Sequence, residues 1–205
     1  DALLSRQNEE SEIAAVNRGA GEPVEVDPEV LALLKTAVGY YEMTDGTLDI
    51  TVAPLMDAWN FTGDTPRVPD RAELDALLTH VGADRITFGD DTVTLEPGMA
   101  VDLGGIAKGY TSDCLAEVFA RDGISSAMVS LGGNVYVCGT KPDGTAWNVA
   151  VEDPNDTGAY LGVVQMQDAF AITSGGYQRY FERDGVRYYH ILDPKTGDVA
   201  RSGLT

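Results

Sequence analysis

Beyond residue 123, glycine cuts the chain into short strand-like runs, and this limits the folds open to it. SAMVSLGGNVYVCG, AWNVAVEDP and GVVQMQDAFAITSGG read as strands broken at glycines, and YFERDGVRYYHILDP as a hairpin followed by a strand. Glycine deprives a strand of a packing side chain, so it marks ends, bulges and tight turns. Runs joined by such short links pair as antiparallel neighbours, because a parallel pair needs a crossover of a dozen residues or more.

The earlier part of the chain carries a different period. DPEVLALLKTAVGYYEMTDG opens with Asp27 as N-cap and Pro28 at the first helical position, and Val30, Leu31, Leu34, Ala37, Val38 and Tyr41 recur at helical spacing. A second helix is predicted from about Asp70, with Leu74, Leu77, Leu78 and Val81 inward and Gly82 as its stop. ITFGDDTVTLEPG alternates about Gly89-Asp90-Asp91 and reads as a β-hairpin. GYTSDCLAEVFARDG is an amphipathic helix stopped by Gly123. Helices come first and strands dominate later, without regular βαβ alternation. The expected class is α+β with a largely antiparallel sheet and packed helices, in a single domain of 205 residues.

Charge narrows the partners. Asp and Glu number 33 against 14 Lys and Arg, giving a formal charge of -19. Most of these carboxylates read as a solvated surface. Such a surface repels phosphate backbones, so nucleic-acid binding is not expected. Any anionic ligand must be met by a bound cation, a helix N-terminus or a placed Lys or Arg. No apolar run approaches the ~20 residues of a membrane span. The opening residues lack the basic-then-apolar pattern of a secretory leader, which leaves a cytoplasmic protein or one whose leader has been removed. Cys114 and Cys138 stand at no metal-ligand spacing and read as buried free thiols.

Four segments carry chemistry. In MAVDLGGIAKGYTSD a strand ending at Asp102 runs into Gly104-Gly105, then Lys108 as a helix begins. Adjacent glycines admit a ligand close to the backbone, the helix start attracts phosphate, and Lys108 adds positive charge. A tight turn with a surface lysine is the competing reading. In AFAITSGGYQRYF, Thr173 and Ser174 precede two glycines, suited to holding a phosphate or capping a helix. In YYHILDPKTG, His190 stands before an Asp-Pro turn, as a general base or a structural strand histidine. In TDGTLDITVAPLMDAWNF, Gly46 and Asp49 fall where a helix gives way to a loop, and Pro54, Trp59 and Phe61 form core or a platform for a flat ring.

Taken together, these segments resemble the FAD:protein FMN transferases, the ApbE-like flavin transferases. Six motifs stand in the same order along nearly the whole chain: Ser5, Ser11, Glu12, Ile13 and Asn17 of an N-terminal segment, then DGTLDITVAPLMDAW, VDLGGIAKGY, SLGGNVYVCG, AITSGGYQRYF and HILDPKTG. The resemblance implies FAD contacts at Thr47, Leu48, Asp49, Asp102, Lys108 and Ile191, with Ser174 added from its motif. It implies a Mg²⁺ contact at the Gly105 carbonyl and an essential histidine at His190. It further implies Mg²⁺-dependent transfer of FMN from FAD to a Ser or Thr hydroxyl of an acceptor, with AMP leaving. An FAD pyrophosphatase and a non-catalytic FAD-binding protein are the alternatives. The implied acceptors are subunits of NADH:quinone reductases, Rnf relatives and other extracytoplasmic flavoproteins. An extracytoplasmic, periplasmic or membrane-associated location follows, attachment being through a removed leader.

Gly176 stands where members of the family commonly carry an acidic residue, Tyr189 where many have a second histidine, and Gln7 at a usually aromatic position. The family's opening strand, and a C-terminal A-D-A-x-x-T motif whose Asp and Thr complete the metal site, have no counterpart in the sequence. On this reading the 205 residues are a fragment that alone binds FAD weakly and transfers no FMN.

Overall fold

A computed structural model of the chain describes residues 3–61, 63–177 and 179–201. These fall into two compact units, one formed by the chain up to residue 106 and from 179 onward, the other by 107–177.

The first unit is built mainly on helices. Ser11 caps α1 (Glu12–Arg18), its hydroxyl accepting from the Ala14 amide. Asp27 caps α2 (Pro28–Met43) by accepting from the Glu29 amide, and Pro28 opens it as the sequence predicts. The α2 stripe buries Val30, Leu31, Leu33, Leu34 and Ala37. Each fully buried Val or Leu contributes roughly 1.5–3 kcal/mol, so this stripe holds the helix more firmly than propensity does. A 3₁₀ turn (Ile50–Val52) leads into α3 (Ala53–Trp59), and α4 (Arg71–Leu78) starts at the Asp70 cap. Helix α4 ends before Gly82, which instead precedes a 3₁₀ turn at Ala83–Arg85. β1 (Val24–Glu25), β2 (Thr87–Phe88) and β3 (Thr92–Thr94) form a small antiparallel sheet in the order β1-β3-β2, so the Gly89-Asp90-Asp91 hairpin is present.

The second unit holds α5 (Ala107–Arg121), the hairpin β4 (Ser126–Leu131) and β5 (Asn134–Gly139), the long hairpin β6 (Trp147–Asp153) and β7 (Asp156–Met166), and β8 (Ala169–Ile172). The sheets are β4-β5-β8 and β6-β7, every pair antiparallel. The chain then returns to the first unit as the hairpin β9 (Tyr180–Arg183) and β10 (Val186–Tyr189). The α+β class holds. Among the described residues its antiparallel pairing is divided among four small sheets.

Two local expectations are corrected, and one open alternative is decided. The segment ending at Asp102 buries Met99, Val101 and Leu103 at alternate positions as a strand would, yet it joins no ladder. Its backbone groups pair elsewhere: the Asn17 side chain bonds both Val101 N (2.7 Å) and Val101 O (2.9 Å), and Asp102 N donates to Ile50 O (2.7 Å). Alternation therefore marks burial here without a neighbouring strand. Cys114 and Cys138 are free but only half-buried. The aromatic cluster is core. Trp59 is 1% exposed, stacks on Phe61 at 5.4 Å, lies against Phe181 and Tyr188, and donates Nε1–H to Gly197 O (2.8 Å). It thereby ties the β9–β10 hairpin and the Asp193–Gly197 turn to α3.

Candidate flavin-nucleotide site

The first unit brings two of the motifs onto one cavity. Helix α2 ends at Met43, and the chain turns sharply through Asp45 (φ 51°) and Gly46 (φ 73°). It then passes exposed Thr47 and half-buried Leu48, whose amide bonds Thr44 Oγ1 (3.0 Å), to buried Asp49. From the other motif, Asp193 Oδ1 accepts from the Lys195 amide (2.9 Å), closing the Asp-Pro turn. Between them lies a cavity of about 380 Å³ lined by Tyr41, Glu42, Asp45, Gly46, Asp49, Val81, Gly82, Pro194 and Lys195. Lys195 Nζ reaches Asp45 Oδ2 (2.9 Å) and holds that carboxyl below its ordinary range. Burial pushes the Tyr41 phenol upward, with a hydrogen bond to Asp84 acting the same way.

Asp49 has a structural duty as well. One of its carboxylate oxygens accepts from Thr51 N (2.7 Å) and Thr51 Oγ1 (2.6 Å), capping the 3₁₀ turn, while Thr51 Oγ1 accepts from Gly82 N (2.7 Å). Burial raises the Asp49 pKa, opposed by the Thr51 and Ala83 hydrogen bonds, and the nearby Asp84 charge adds to the rise. A raised native pKa favours the protonated acid. The cost of ionisation is therefore absent below the unfolded pKa, near 3.9, and fully present above the native one. Asp49→Asn cannot ionise, so its melting temperature should gain on wild type as pH rises from about 3 to 7. Parallel melting curves across that range would contradict the burial argument.

Asp102 is held from both sides. Its Oδ1 accepts from Gly104 N (2.7 Å) and its Oδ2 from Arg6 Nε (2.5 Å), while Arg6 Nη1 donates to Asp57 Oδ1 (2.8 Å). Burial alone would lower the Arg6 pKa, but Asp57 and Asp102 together raise it. Gly105 is exposed, with open space where a Cβ would stand. Mg²⁺ wants six oxygen ligands in near-octahedral geometry, carboxylates among them. Among the described residues no group of three or more His, Cys, Asp or Glu is placed to hold a metal ion. The described residues thus do not by themselves fit the ion.

His190 lies just past the end of β10 rather than within a strand, and is half-buried. Its amide donates to Arg179 O (3.2 Å), and its Nδ1 lies 3.3 Å from the same carbonyl. The next residue, Ile191, accepts from Ala200 N (2.9 Å), and the Tyr189 hydroxyl bonds Ala200 O. Neither His190 nor Ile191 is among the residues lining the cavity.

In the second unit, Lys108 is exposed in the first turn of α5 and donates to Gly132 O (3.0 Å). Gly132 (φ 59°) and Gly133 (φ 99°) make the two-residue turn between β4 and β5, a conformation that needs positive φ twice and explains the glycine pair. The α5 start and the SLGGN motif are therefore joined through one ammonium group. Ser174 is exposed beyond β8, and no helix begins there among the described residues, so the capping reading fails.

Sequence reading did not single out Arg6, Asp57 or Lys195. For Arg6 a signal existed, since it is the one cation among the first 17 residues.

Comparison with known proteins agrees with the family resemblance. The ApbE family matches residues 1–205. A FAD:protein FMN transferase of Treponema pallidum is 37% identical, covering 100% of this chain and 61% of the relative. One of Vibrio cholerae is 36% identical over 95% of this chain and 60% of its own length. The chain therefore spans about three fifths of these curated relatives. The ApbE protein of Thermotoga maritima superposes with a TM-score of 0.92 at 38% identity, covering 98% of this chain and 66% of that one. The apo flavinyl transferase ApbE of Pseudomonas stutzeri gives 0.86 at 30%, covering 98% and 63%. With motifs, fold and full-length match in agreement, the chain belongs to the ApbE family.

Proposed function

We propose that this protein is an FAD:protein FMN transferase, moving FMN from FAD to a Ser or Thr hydroxyl of an acceptor flavoprotein and releasing AMP. The observation that carries the reading is the meeting of the DGTLD and DPKTG motifs on one polar cavity, in a chain that matches the family throughout. In this reading Thr47, Leu48, Asp49, Asp102 and Ile191 of the first unit contact FAD, as do Lys108 and Ser174 of the second. Chain acidity makes Lys108 the natural partner of the pyrophosphate, whose charge nearby carboxylates would otherwise repel.

The acceptor hydroxyl oxygen attacks the FMN phosphorus, a new P–O bond forms, and the bond to AMP breaks with its electron pair leaving on AMP. His190 takes the hydroxyl proton. Mg²⁺, with the Gly105 carbonyl as one ligand, belongs to the proposal through the family resemblance, and no step above is routed through it. Acceptors of the NADH:quinone reductase and Rnf type, and an extracytoplasmic setting with attachment through a removed leader, rest on the same resemblance. Among the described residues no helix is long and apolar enough to cross a membrane.

Incubating the full-length protein with FAD, Mg²⁺ and an acceptor subunit tests the reading. Acceptor that stays fluorescent on a denaturing gel supports transfer. AMP and free FMN without labelled acceptor would make the protein a pyrophosphatase, and intact FAD would make it a binder.

A further inference from the structure

We propose that Arg6 is a positioning residue for FAD, acting through Asp102. The inference rests on the FAD contact assigned to Asp102 above. Three stretches of sequence converge on this guanidinium: its own N-terminal segment, α3 through Asp57, and the VDLGG turn through Asp102. Arg6 and Asp102 are only 18% and 22% exposed, so this pair is not a loose surface contact that contributes little, whereas Asp57 is exposed.

The arrangement fixes which way Asp102 points. Gly104 N holds Oδ1, Arg6 Nε holds Oδ2, and the Asp102 amide is anchored on Ile50 O. A Cβ on Gly104 would fall 2.9 Å from Asp102 Oδ1, so the turn is shaped around this carboxylate. Each carboxylate oxygen accepts more than one hydrogen bond, which leaves Asp102 able to receive a hydroxyl or N–H donor from the nucleotide. Arg6 also offsets one of the two negative charges of Asp57 and Asp102 where an anionic ligand must approach. A guanidinium directs Nε and Nη1 to two carboxylates at once, whereas the single ammonium of lysine is a point charge that cannot reproduce the fork.

Double-mutant cycles on FAD affinity in the full-length protein test this, read by flavin fluorescence with melting temperature recorded alongside. Arg6→Met is expected to weaken FAD binding roughly tenfold, and Arg6→Lys less. In an Asp102→Asn background, Arg6→Met should change affinity little further, because the group it positions is already lost. A purely structural role would give additive losses that follow melting temperature, and that result would overturn the proposal. Equal affinity of Arg6→Met and wild type would overturn it as well. Wild-type protein that binds no FAD would remove the parent reading and this one together, an outcome distinct from additivity in a binding-competent protein.

Discussion

Replacing His190 with asparagine is expected to leave FAD bound while slowing FMN transfer ~10²–10⁴-fold, the scale of a lost general base. The Arg179 carbonyl can only accept. A hydrogen bond to it from Nδ1, 3.3 Å away, would require the tautomer that carries its proton on that nitrogen. Asparagine retains a short polar side chain with an N–H donor but has no basic nitrogen. The β9–β10 hairpin that carries His190 is fixed by Trp59, Phe181 and Tyr188, none of which the substitution touches. Single-turnover transfer and FAD titration on the same preparation separate rate from binding. Transfer at the wild-type rate would mean that His190 is structural and the proton acceptor lies elsewhere.

Lys108→Ala is expected to cost roughly 1.5–3 kcal/mol of FAD binding, the range of a hydrogen bond to a charged group. That is roughly 10- to 150-fold in affinity. Lys108 donates to Gly132 O, a neutral carbonyl that orients the ammonium without cancelling its charge. An ammonium carries three donors, so a phosphate oxygen can be added without breaking that bond. The formal charge of -19 makes the substitution more costly, since it deepens an existing excess of carboxylates. Isothermal calorimetry reads the effect directly. Unchanged affinity would assign Lys108 to holding the β4–β5 turn and nothing more.

Elements fixed by local chemistry were legible in the sequence. Asp27-Pro28 specified the start of α2, Asp70 that of α4, and the glycine pair at Gly132-Gly133 the β4–β5 hairpin. Each follows from backbone rules acting over a few residues. The failures lie where distant partners decide. Met99, Val101 and Leu103 alternate as a strand would, but Asn17, 84 residues away, satisfies the Val101 backbone instead. The sequence leaves Trp59 and Phe61 open between core and a ring-binding surface, and the return of the chain as β9 and β10 decides for core. Arg6 is separated from Asp102 by 96 residues, a pairing that no spacing rule reports. The motif marks Asp49 for ligand contact, and the structure adds its cap on Thr51.

The central claim is that FMN leaves FAD for a protein hydroxyl. Intact mass spectrometry of the acceptor, run with AMP quantification on the same reaction, tests it most directly. The account expects one AMP per acceptor molecule that gains the mass of FMN less water, with the flavin on a Ser or Thr residue. AMP accumulating while the acceptor mass stays unchanged would contradict it.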